Sequence, residues 1–273
     1  MHKLLESLPP GARVLDLGAR TGSFSTNRDR LAVVRLDLEI PANRGAGLYV
    51  SADAARMPFR AEAFDAIISN HSLEHFVELE ATLREIGRVV KRGGALYVAV
   101  PDASTLTDRI YRWLAKGGGH VNAFRTPLDV VAPVERLTGL PHRATHRLYS
   151  SLSFLNRRNR TAPAPRRIAL FLNGSERYLA ILMWVLRGID RRLGTRLSVY
   201  GWEFHFGGGP ILERADAWIN VCVRCGSGFP EAYIRAKCVV RGIAYRCPEC
   251  GGFNLLSRRA GALASAGPPG PTA

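Results

Sequence analysis

The sequence predicts an α/β protein with a doubly wound, Rossmann-like parallel sheet. Three observations support this fold class. Short apolar strands alternate with helical periodicity over about the first hundred residues, a glycine-containing turn follows the first strand, and carboxylates close the next two strands. Such alternation produces a parallel sheet whose ligand site lies along the carboxyl ends of the strands.

The first predicted strand opens the run VLDLGARTG, residues 14–22. Asp16 lies near the end of the strand, and Gly18 and Gly22 punctuate the turn that follows. Glycine permits positive φ and lets the backbone approach a ligand, because no Cβ intervenes. A turn of this kind that feeds a helix presents N–H groups to a nucleotide-like ligand. Taken alone, it is equally compatible with an ordinary βα connection.

Apolar runs predict further strands at residues 33–37, 48–51, 66–69 and 95–101, and apolar residues at helical spacing predict a helix over 80–90 that ends at Lys91-Arg92-Gly93-Gly94. Asp37 closes the second strand about twenty residues after Asp16, where nucleotide-binding units place a carboxylate for ribose hydroxyls. Asp53 follows the third strand, and Asn70 the fourth. Bulky alternating residues followed by glycines predict an antiparallel edge hairpin over 196–212.

These motifs resemble those of the class I S-adenosylmethionine-dependent methyltransferases, in particular the small-molecule type related to ubiquinone-biosynthesis methyltransferases. The resemblance covers about residues 10–105 and rests on VLDLGARTG, VVRLD, SADAARMPF, FDAIISNHSLEHF and REIGRVVKRGGALYVAVP, in this order. It implies the fold and S-adenosyl-L-methionine as the cofactor. It does not specify the methyl acceptor.

On the methionine side of the cofactor, the resemblance implies that Asp16, Gly18 and Gly22 surround the ligand and that Asn70 lies under the sulfonium. The family loop usually reads D-x-G-x-G-x-G, whereas this chain has Arg20 at the middle glycine. An arginine there either faces solvent on a slightly rerouted turn or pairs with the carboxylate of the cofactor. It is also compatible with a catalytically silent domain.

On the nucleoside side, the resemblance implies that Asp37 binds the ribose hydroxyls and that Leu38 packs on the adenine. Asp53 would accept a hydrogen bond from the adenine amino group, with Ala54 beside it. Taken singly, either carboxylate is explained as a solvated group at a strand end. Their common register with the glycine turn favours cofactor binding.

Three histidines are candidates for a general base. Methyl transfer from a sulfonium chiefly requires alignment of the nucleophile with an activated carbon, and a base helps when the acceptor is a hydroxyl. His71 and His75 flank the end of the fourth strand, and His120 follows the fifth in GGGHVNAF. In the family His75 more often has a structural or cofactor-side role. Each histidine is also compatible with an ordinary loop position.

Charge divides the chain unequally. Residues 1–105 contain 13 basic and 13 acidic residues, and residues 106–273 contain 25 and 10, so the formal net charge of +15 lies outside the predicted cofactor half. Residues 136–196 contain 13 arginines but only Glu176 and Asp190 as acids. This asymmetry indicates an anionic partner. A codon bias toward arginine would explain the preference over lysine, but not the scarcity of acids.

Within this basic segment, residues 178–186 are apolar on every face of a predicted helix. Nine residues cannot span a bilayer, which requires about 20. The helix is therefore predicted to be a core or lid helix over the acceptor pocket, or to contact a membrane interface through Trp184 and its flanking arginines. The absence of a signal peptide or long apolar span favours a cytoplasmic protein, peripheral at the inner face of the membrane if the interfacial alternative holds.

Four cysteines predict a zinc site. Cys222 and Cys225 form one C-x2-C pair, and Cys247 and Cys250 form a second, with 21 residues between the two pairs. This arrangement resembles a zinc ribbon. Disulfides are disfavoured in a cytosolic chain, and a redox pair would not require two copies. The fifth cysteine, Cys238, lies in a strand-like run and is predicted to be a buried free thiol.

The predicted organisation is a methyltransferase domain over 1–215 with a basic helical insertion at about 106–196, a zinc ribbon over 216–257 and a disordered tail over 258–273. Three functions remain open: O-methylation of a small-molecule, glycan or lipid-linked acceptor; methylation of RNA or protein gripped by the basic segment and ribbon; and a non-catalytic scaffold. Few aromatic residues accompany the arginines, which disfavours a nucleic-acid grip. Asn70-His71-Ser72-Leu73 also lacks the N-P-P-Y run of amino-methylating enzymes.

Overall fold

The computed structural model describes residues 1–24, 30–42, 47–114, 119–159, 171–209 and 218–257. The chain divides into two compact units. Unit 1 combines Met1–Leu148 with Val199–Ala217, and unit 2 combines Tyr149–Ser198 with Trp218–Ala273. Two parts of the basic segment predicted as one insertion thus fall in different units. The predicted domain boundaries stay a prediction.

The strands of unit 1 are β1 (Arg13–Leu17), β2 (Ala32–Asp37), β3 (Leu48–Ser51), β4 (Phe64–Asn70), β5 (Val90–Pro101), β6 (His142–Tyr149) and β7 (Val199–Gly207). They form one sheet in the order β3-β2-β1-β4-β5-β7-β6. Strands β1 to β5 run parallel to one another, and β7 runs antiparallel to β5. The predicted Rossmann-like fold class is confirmed.

The helices of unit 1 are α1 (His2–Ser7), α2 (Leu79–Val89), α3 (Leu106–Leu114) and α4 (Leu128–Thr138). Both faces of the central strands are buried, as the continuous apolar run of β4 requires. Ile67 packs in the cluster that includes Ile86 of α2, whereas Ile68 packs in the cluster that includes Leu5 of α1. Burial of each such side chain contributes about 1.5–3 kcal/mol. The sheet is thus a rigid platform for the loops at its carboxyl edge.

The predicted edge hairpin over 196–212 is wrong. The described part of this segment forms the single strand β7, which lies between β5 and β6 rather than at the edge. The edge position belongs to β6, inside the segment predicted to be a helical insertion. Its sequence HRATHRLY carries four basic or histidine side chains, and such residues discourage an edge strand from pairing with another chain.

The predicted helix over 80–90 is confirmed as α2, but its predicted ending differs. Lys91-Arg92-Gly93-Gly94 does not form a helix terminus, because the chain enters β5 directly at Val90. The register between β4 and β5 shifts between Phe64 and Ala66. This irregularity accommodates the residues that precede the regular pairing of Ala66 with Ala95.

Unit 2 contains α5 (Glu176–Leu193), β8 (Asn220–Val221), β9 (Gly228–Phe229), α6 (Glu231–Lys237), β10 (Ala244–Arg246) and β11 (Phe253–Leu255). The four short strands form two antiparallel hairpins, β8 with β9 and β10 with β11. Arg187 of α5 is buried and donates to the carbonyls of Ser150 and Val221, at 3.1 and 3.2 Å. This guanidinium joins α5 to the first hairpin.

The strand predicted around Cys238 is wrong. Residues 231–237 form α6, and Cys238 caps its carboxyl end with a half-buried side chain that packs against the hairpins. The helix places Ile234, one turn earlier, in the same small core, where it is fully buried. The tail predicted to be disordered, residues 258–273, lies outside the described residues. None of the described helices is long and apolar enough to cross a membrane.

Candidate functional site

The glycine turn after β1 is held against the start of the loop after β4. Gly18 has φ +68°, and a Cβ added there would lie 2.5 Å from Cβ of Ser72. Ser72 Oγ donates to the Leu17 carbonyl at 2.9 Å and lies 2.6 Å from Ser69 Oγ. Only glycine therefore allows the two loops to approach this closely. The close approach joins the predicted cofactor turn to the strand end that carries Asn70.

Gly22 is required for a different reason. Its φ is +112°, and a Cβ would meet the guanidinium carbon of Arg35 at 2.5 Å. Arg35 is 3% exposed and donates to the Phe24 carbonyl at 2.7 Å and to the Tyr49 hydroxyl at 2.9 Å. Its Nε lies 3.6 Å from Oδ2 of Asp16. Sequence reasoning missed Arg35, whose only signal is an arginine inside an apolar strand.

Asp16 lies on β1 beneath the turn and is completely buried. Its Oδ2 accepts a hydrogen bond from the Ser23 amide at 2.9 Å, and Oδ1 has no hydrogen-bond partner among the described residues. Burial raises the pKa of this carboxyl, against the hydrogen bonds from Ser23 and the charge of Arg35. An acceptor atom left without a partner inside the turn fits a ligand that donates a hydrogen bond there.

Arg20 keeps the left-handed backbone that the family's glycine would take. The φ angle of Arg20 is +43°, and the residue is exposed. The Arg20 amide donates to Oδ2 of Asp37 at 2.8 Å. A non-glycine residue in this region costs about 1–2 kcal/mol. This backbone contact orients the Asp37 carboxylate at the carboxyl end of β2 and does not involve the Arg20 side chain.

The nucleoside-side residues lie beside this carboxylate. Leu38 follows Asp37 and is 67% exposed, so that its side chain is accessible to a ligand. Asp53 follows β3 and accepts a hydrogen bond from the Ala55 amide at 2.9 Å, and Ala54 is buried. The parallel pairing of β2 with β3 places Asp37 opposite Ser51. Both predicted carboxylates thus lie at the carboxyl edge of neighbouring strands, as a nucleoside site requires.

The loop after β4 has a special backbone. Asn70 ends the strand, and His71 follows with φ +57°. His71 is half-buried, its ring lies edge-on to Tyr200 with centroids 5.0 Å apart, and its buried Nδ1 has no hydrogen-bond partner among the described residues. Burial, together with the charges of His120 and His75, lowers the pKa of His71 to about 4. His71 is therefore neutral at physiological pH and too weakly basic to serve as an efficient base.

His120 forms a buried pair with Asp108. Its Nδ1 lies 3.0 Å from Asp108 Oδ1, and because a carboxylate only accepts, Nδ1 is the donor. Arg112 Nε lies 2.6 Å from the other carboxylate oxygen. Although burial acts in the opposite direction, these two donors hold the pKa of Asp108 below its usual range. In the neutral ring this arrangement leaves Nε2 as the lone-pair nitrogen.

His75 lies between this pair and the cofactor turn. Its ring centroid is 4.9 Å from that of His120, and its Nδ1 lies 3.0 Å from the Gly119 carbonyl. Burial lowers the pKa of His75, and the charges of His120 and Arg20 lower it further, while Asp37 opposes them. The structure thus places two of the three predicted histidines, His75 and His120, side by side.

Glu74 was not predicted from the sequence. It lies in the short helical turn 73–75, is 1% exposed, and has no hydrogen-bond partner for either carboxyl oxygen among the described residues. Burial raises the pKa of Glu74 to about 8, so the group is mainly a neutral acid at pH 7. Asp108 and Tyr111, which stacks on His120 at 4.9 Å, were missed as well. Their contacts depend on how α3 and the segment after it pack, and only the run SLEH indicated the turn that carries Glu74.

In unit 2 the two C-x2-C pairs form matching turns. Cys222 and Cys225 span the β8–β9 turn, and Cys247 and Cys250 span the β10–β11 turn. Cys222 Sγ lies 3.6 Å from Cys250 Sγ, and Cys225 Sγ lies 3.7 Å from Cys247 Sγ. Tetrahedral zinc with Zn–S bonds of about 2.3 Å separates its sulfurs by about 3.8 Å. The four residues thus fit a structural zinc ion.

Donors support this cysteine cluster. The Arg224 amide and the Asn254 side-chain amide point at Cys222 Sγ, at 3.4 and 3.3 Å. Arg224 also pairs with Glu176 of α5, at 2.5 Å and 2.9 Å. Hydrogen bonds of this kind orient and stabilise thiolate ligands.

A basic concavity lies at the start of α5. Its volume is about 400 Å³, and it is lined by Arg157, Arg158, Ser175, Glu176, Arg177, Arg246 and Phe253. Glu176 is neutralised by Arg224. The charge of Arg158 also lowers the pKa of Glu176, and the lining contains four arginines but this one carboxylate. The concavity is therefore suited to an anionic group.

The predicted apolar helix has two faces. Leu179, Ala180 and Met183 are buried on one side of α5. Ile181, Trp184 and Val185 are exposed at 51%, 40% and 41%. The helix is thus neither buried all round nor exposed all round. Arg177 lies four residues before Ile181, on the same face as the exposed apolar stripe.

The comparisons with known proteins agree with this geometry. A family profile described as a methyltransferase domain matches residues 15–98, from β1 through the middle of β5. The chain carries a class I S-adenosylmethionine-dependent methyltransferase domain. This class uses S-adenosylmethionine, and the resemblance stated from the sequence is confirmed at the level of family and fold.

Several curated proteins are similar to the methyltransferase domain. A malonyl-[acyl-carrier protein] O-methyltransferase of Methylococcus capsulatus is 34% identical over 137 residues, which cover 45% of this chain and 50% of that protein. A demethylmenaquinone methyltransferase of Mycolicibacterium paratuberculosis is 34% identical over 113 residues, 39% and 48% of the two chains. A mouse protein described as a probable tRNA methyltransferase 9B is 33% identical over 108 residues, 37% of this chain and 24% of that one. The chain thus spans half or less of the length of these relatives.

Solved structures share the fold. A structure from Galdieria sulphuraria, whose description proposes a sarcosine dimethylglycine methyltransferase, has a TM-score of 0.50 and 16% identity. The match covers 76% of this chain and 82% of that one. This likeness concerns the fold alone.

Proposed function

We propose that the chain O-methylates a small-molecule, glycan or lipid-linked acceptor with S-adenosylmethionine. The observation that carries the proposal is the buried His120–Asp108 pair, whose imidazole ring lies 4.9 Å from that of His75 in the loop after β4. A base with its second nitrogen fixed on a carboxylate suits the removal of a hydroxyl proton. The O-methylating relative of Methylococcus capsulatus supports the same reaction class.

The predicted cofactor residues have compatible positions. Asp37, oriented by the Arg20 amide, would accept hydrogen bonds from the ribose hydroxyls, and exposed Leu38 would pack on the adenine. Asp53 would accept a hydrogen bond from the adenine amino group, with Ala54 beside it. Asp16, Gly18 and Gly22 would border the methionine part, with Asn70 near the sulfonium. We propose that the exposed Arg20 guanidinium pairs with the cofactor carboxylate, the partner for which its planar geometry is suited.

The proposed chemistry divides among three side chains and the methyl donor. S-adenosylmethionine supplies a methyl group already activated for displacement. His120 Nε2 accepts the proton from the acceptor hydroxyl, and Asp108 fixes the ring and stabilises its charge. Neutral Glu74 can donate a hydrogen bond to a second oxygen of the acceptor, since its pKa is raised to about 8. Positioning of the nucleophile against the methyl carbon supplies most of the acceleration.

We further propose that Cys222, Cys225, Cys247 and Cys250 bind one Zn²⁺ as a structural ribbon. The two sulfur separations near 3.7 Å support this assignment. The five cysteines form no disulfide in the structure, which suits a reducing compartment, and we propose a cytoplasmic location.

We propose that unit 2 recruits the enzyme to an anionic membrane surface. The arginine-lined concavity would receive lipid phosphate, and the stripe of Ile181, Trp184 and Val185 would enter the interface beside it. Liposome flotation tests this proposal. The chain should float with vesicles that contain anionic lipid and not with neutral vesicles, and Arg177→Glu should abolish flotation. Flotation that is equal for the two vesicle types would contradict it, and tight binding of RNA alone would favour the nucleic-acid alternative.

The methylation proposal is tested by supplying methyl-labelled S-adenosylmethionine with cell extract separated into small-molecule, lipid, RNA and protein fractions. Label is expected in the small-molecule or lipid fraction. Label confined to RNA or protein would refute the acceptor class, and cofactor binding without transfer to any fraction would support a scaffold.

Calorimetry tests the cofactor site separately from the acceptor. Asp37→Ala should weaken binding of S-adenosylmethionine at least tenfold, because hydrogen bonds to a charged group contribute about 1.5–3 kcal/mol. Glu39→Ala removes a nearby exposed carboxylate and serves as the matched control. Equal affinity in the two variants would remove Asp37 from the site.

A further inference from the structure

Two histidines and a glutamate converge on one side of the sheet in unit 1. Glu203 and His205 are two residues apart on β7 and therefore lie on the same face of the strand. His146 lies on the neighbouring edge strand β6. Neither the family resemblance nor the proposed reaction uses any of the three.

The separations of their ligand atoms match a shared ion better than direct hydrogen bonds. His146 Nδ1 lies 3.5 Å and His205 Nε2 lies 3.9 Å from Glu203 Oε1, and all three atoms lie within 4.8 Å of one another. Hydrogen bonds of this type are normally 2.7–3.2 Å long. Ligands of tetrahedral zinc, with bonds of about 2.0–2.2 Å, stand about 3.4 Å apart. Two separations come close to this value, and small side-chain rotations would close the third.

The cluster is largely removed from solvent. The side chains of His146, Glu203 and His205 are 16%, 3% and 9% exposed. His146 Nδ1 and His205 Nε2 have no hydrogen-bond partner among the described residues. An unsatisfied buried nitrogen is unfavourable, and a metal–nitrogen bond removes this cost.

A supporting partner orients the carboxylate. The Tyr97 hydroxyl on β5 donates to Glu203 Oε2 at 2.9 Å, so that Oε1 faces the histidines. The His205 ring is edge-on both to Tyr97, at 5.3 Å, and to His146, at 5.6 Å. Outer partners of this kind fix ligand geometry in metal sites.

We infer that His146, Glu203 and His205 bind a divalent first-row transition metal, with Zn²⁺ as the ion best suited to two imidazoles and one carboxylate. The ion would fasten edge strand β6 to β7. Three protein ligands leave one position for water or another small ligand. The proposal does not depend on the methyl acceptor or on the cysteine cluster.

Metal content of the full chain tests the proposal. After removal of metal with a chelator and dialysis against Zn²⁺, the wild type should retain about two ions, one per site. Glu203→Gln keeps the side-chain shape and should retain about one. His142→Ala, a histidine on β6 outside the cluster, should retain two and is the matched control.

Cobalt distinguishes the two sites in the same chain. Co²⁺ bound to thiolates gives intense near-ultraviolet charge-transfer absorption, whereas a site of nitrogen and oxygen ligands lacks it. Glu203→Gln should keep the thiolate band and lose one equivalent, and Cys225→Ser should show the reverse. A wild type whose metal is entirely lost with Cys225→Ser, or a Glu203→Gln variant with unchanged metal content, would overturn the proposal.

A second variant guards against misfolding of Glu203→Gln. Tyr97→Phe leaves all three ligands in place and removes the hydrogen bond to Oε2. It should weaken metal affinity about 10–100-fold while the circular dichroism spectrum stays native. Unchanged affinity in a folded Tyr97→Phe protein that still binds two ions would refute the role given to Tyr97. A wild type that binds no second ion would refute the site.

Discussion

His120 Nδ1 and Asp108 Oδ1 are 3.0 Å apart, and the two side chains are 5% and 0% exposed. The pair joins α3 to the segment that follows it, and Arg112 holds the carboxylate from its other side. A buried carboxylate with two cationic or donor partners is a fixed support for an imidazole ring.

His120→Gln should lower kcat at least 100-fold with the acceptor that the labelling experiment identifies, because a positioned base contributes about 10²–10⁴-fold. The affinity for S-adenosylmethionine should stay within about threefold of the wild type, since His120 is not assigned to the cofactor. Asp108→Asn should lower kcat less, because the ring keeps its place but loses the stabilising charge. Steady-state kinetics and calorimetry measure the two effects. An unchanged kcat in His120→Gln would assign the base elsewhere.

Gly18→Ala should destabilise unit 1 and abolish cofactor binding. The new Cβ would lie 2.5 Å from Ser72 Cβ at a backbone φ of +68°. Gly11 has φ +78° but open space around the Cβ position, so Gly11→Ala isolates the cost of the backbone conformation alone. That cost is about 1–2 kcal/mol, and Gly18→Ala should exceed it by at least as much again. Denaturant unfolding compares the variants, and equal losses would show that the Ser72 contact yields.

Glu74→Gln should stabilise the folded protein relative to the wild type, and this gain in stability should increase as pH rises. The carboxyl has a pKa of about 8 when folded and 4.5 as its ordinary value, so between these pH values only the folded state retains the proton. Wild-type stability therefore falls as pH rises from 4.5 to 8 and levels off above it. The difference in melting temperature between Glu74→Gln and wild type should grow across this range. Glu78→Gln, an exposed neighbour, should show no such trend, and a flat difference for Glu74→Gln would contradict the raised pKa.

Cys225→Ser should reduce zinc bound by the cysteine cluster and unfold the hairpins of unit 2, because a structural ion contributes much of the folding energy of a small domain. Cys238→Ser changes the fifth cysteine, whose sulfur lies outside the cluster of four, and should retain zinc. Metal analysis and limited proteolysis follow the two effects. If Cys225→Ser keeps its zinc, and the cobalt-loaded variant keeps its thiolate absorption, the four-cysteine site is excluded.

Local sequence patterns were sufficient for the parallel half of the sheet. β1 to β5 follow apolar runs whose ends carry acids or glycines, and each such signal lies within a few residues of the element that it predicts. The edge strand β6 was not anticipated, since its polar side chains reflect an exposed edge rather than an apolar face. Likewise, Cys238 follows a helix because Ile234 is required in the small core of unit 2, a tertiary demand that overrides the β-branched run nearby.

The candidate site was predictable where the chain itself supplies the spacing. Asp16, Asp37 and Asp53 lie at successive strand ends, and parallel pairing makes these ends neighbours. Glu74, Asp108 and Arg35 could not be found in this way. Their importance arises from side-chain packing and from burial, which shifts a pKa only after the chain has folded.

Arg20 shows that this turn requires particular backbone angles rather than glycine at every position of the pattern. The contact to Asp37 is made by the amide of residue 20, which every amino acid except proline possesses. A search that demands glycine at the middle position would discard chains of this kind, although their turn keeps the same path. Describing the turn by its φ values and by the amide that meets the acid would retain them, and would leave the side chain at this position free to diversify with the ligand.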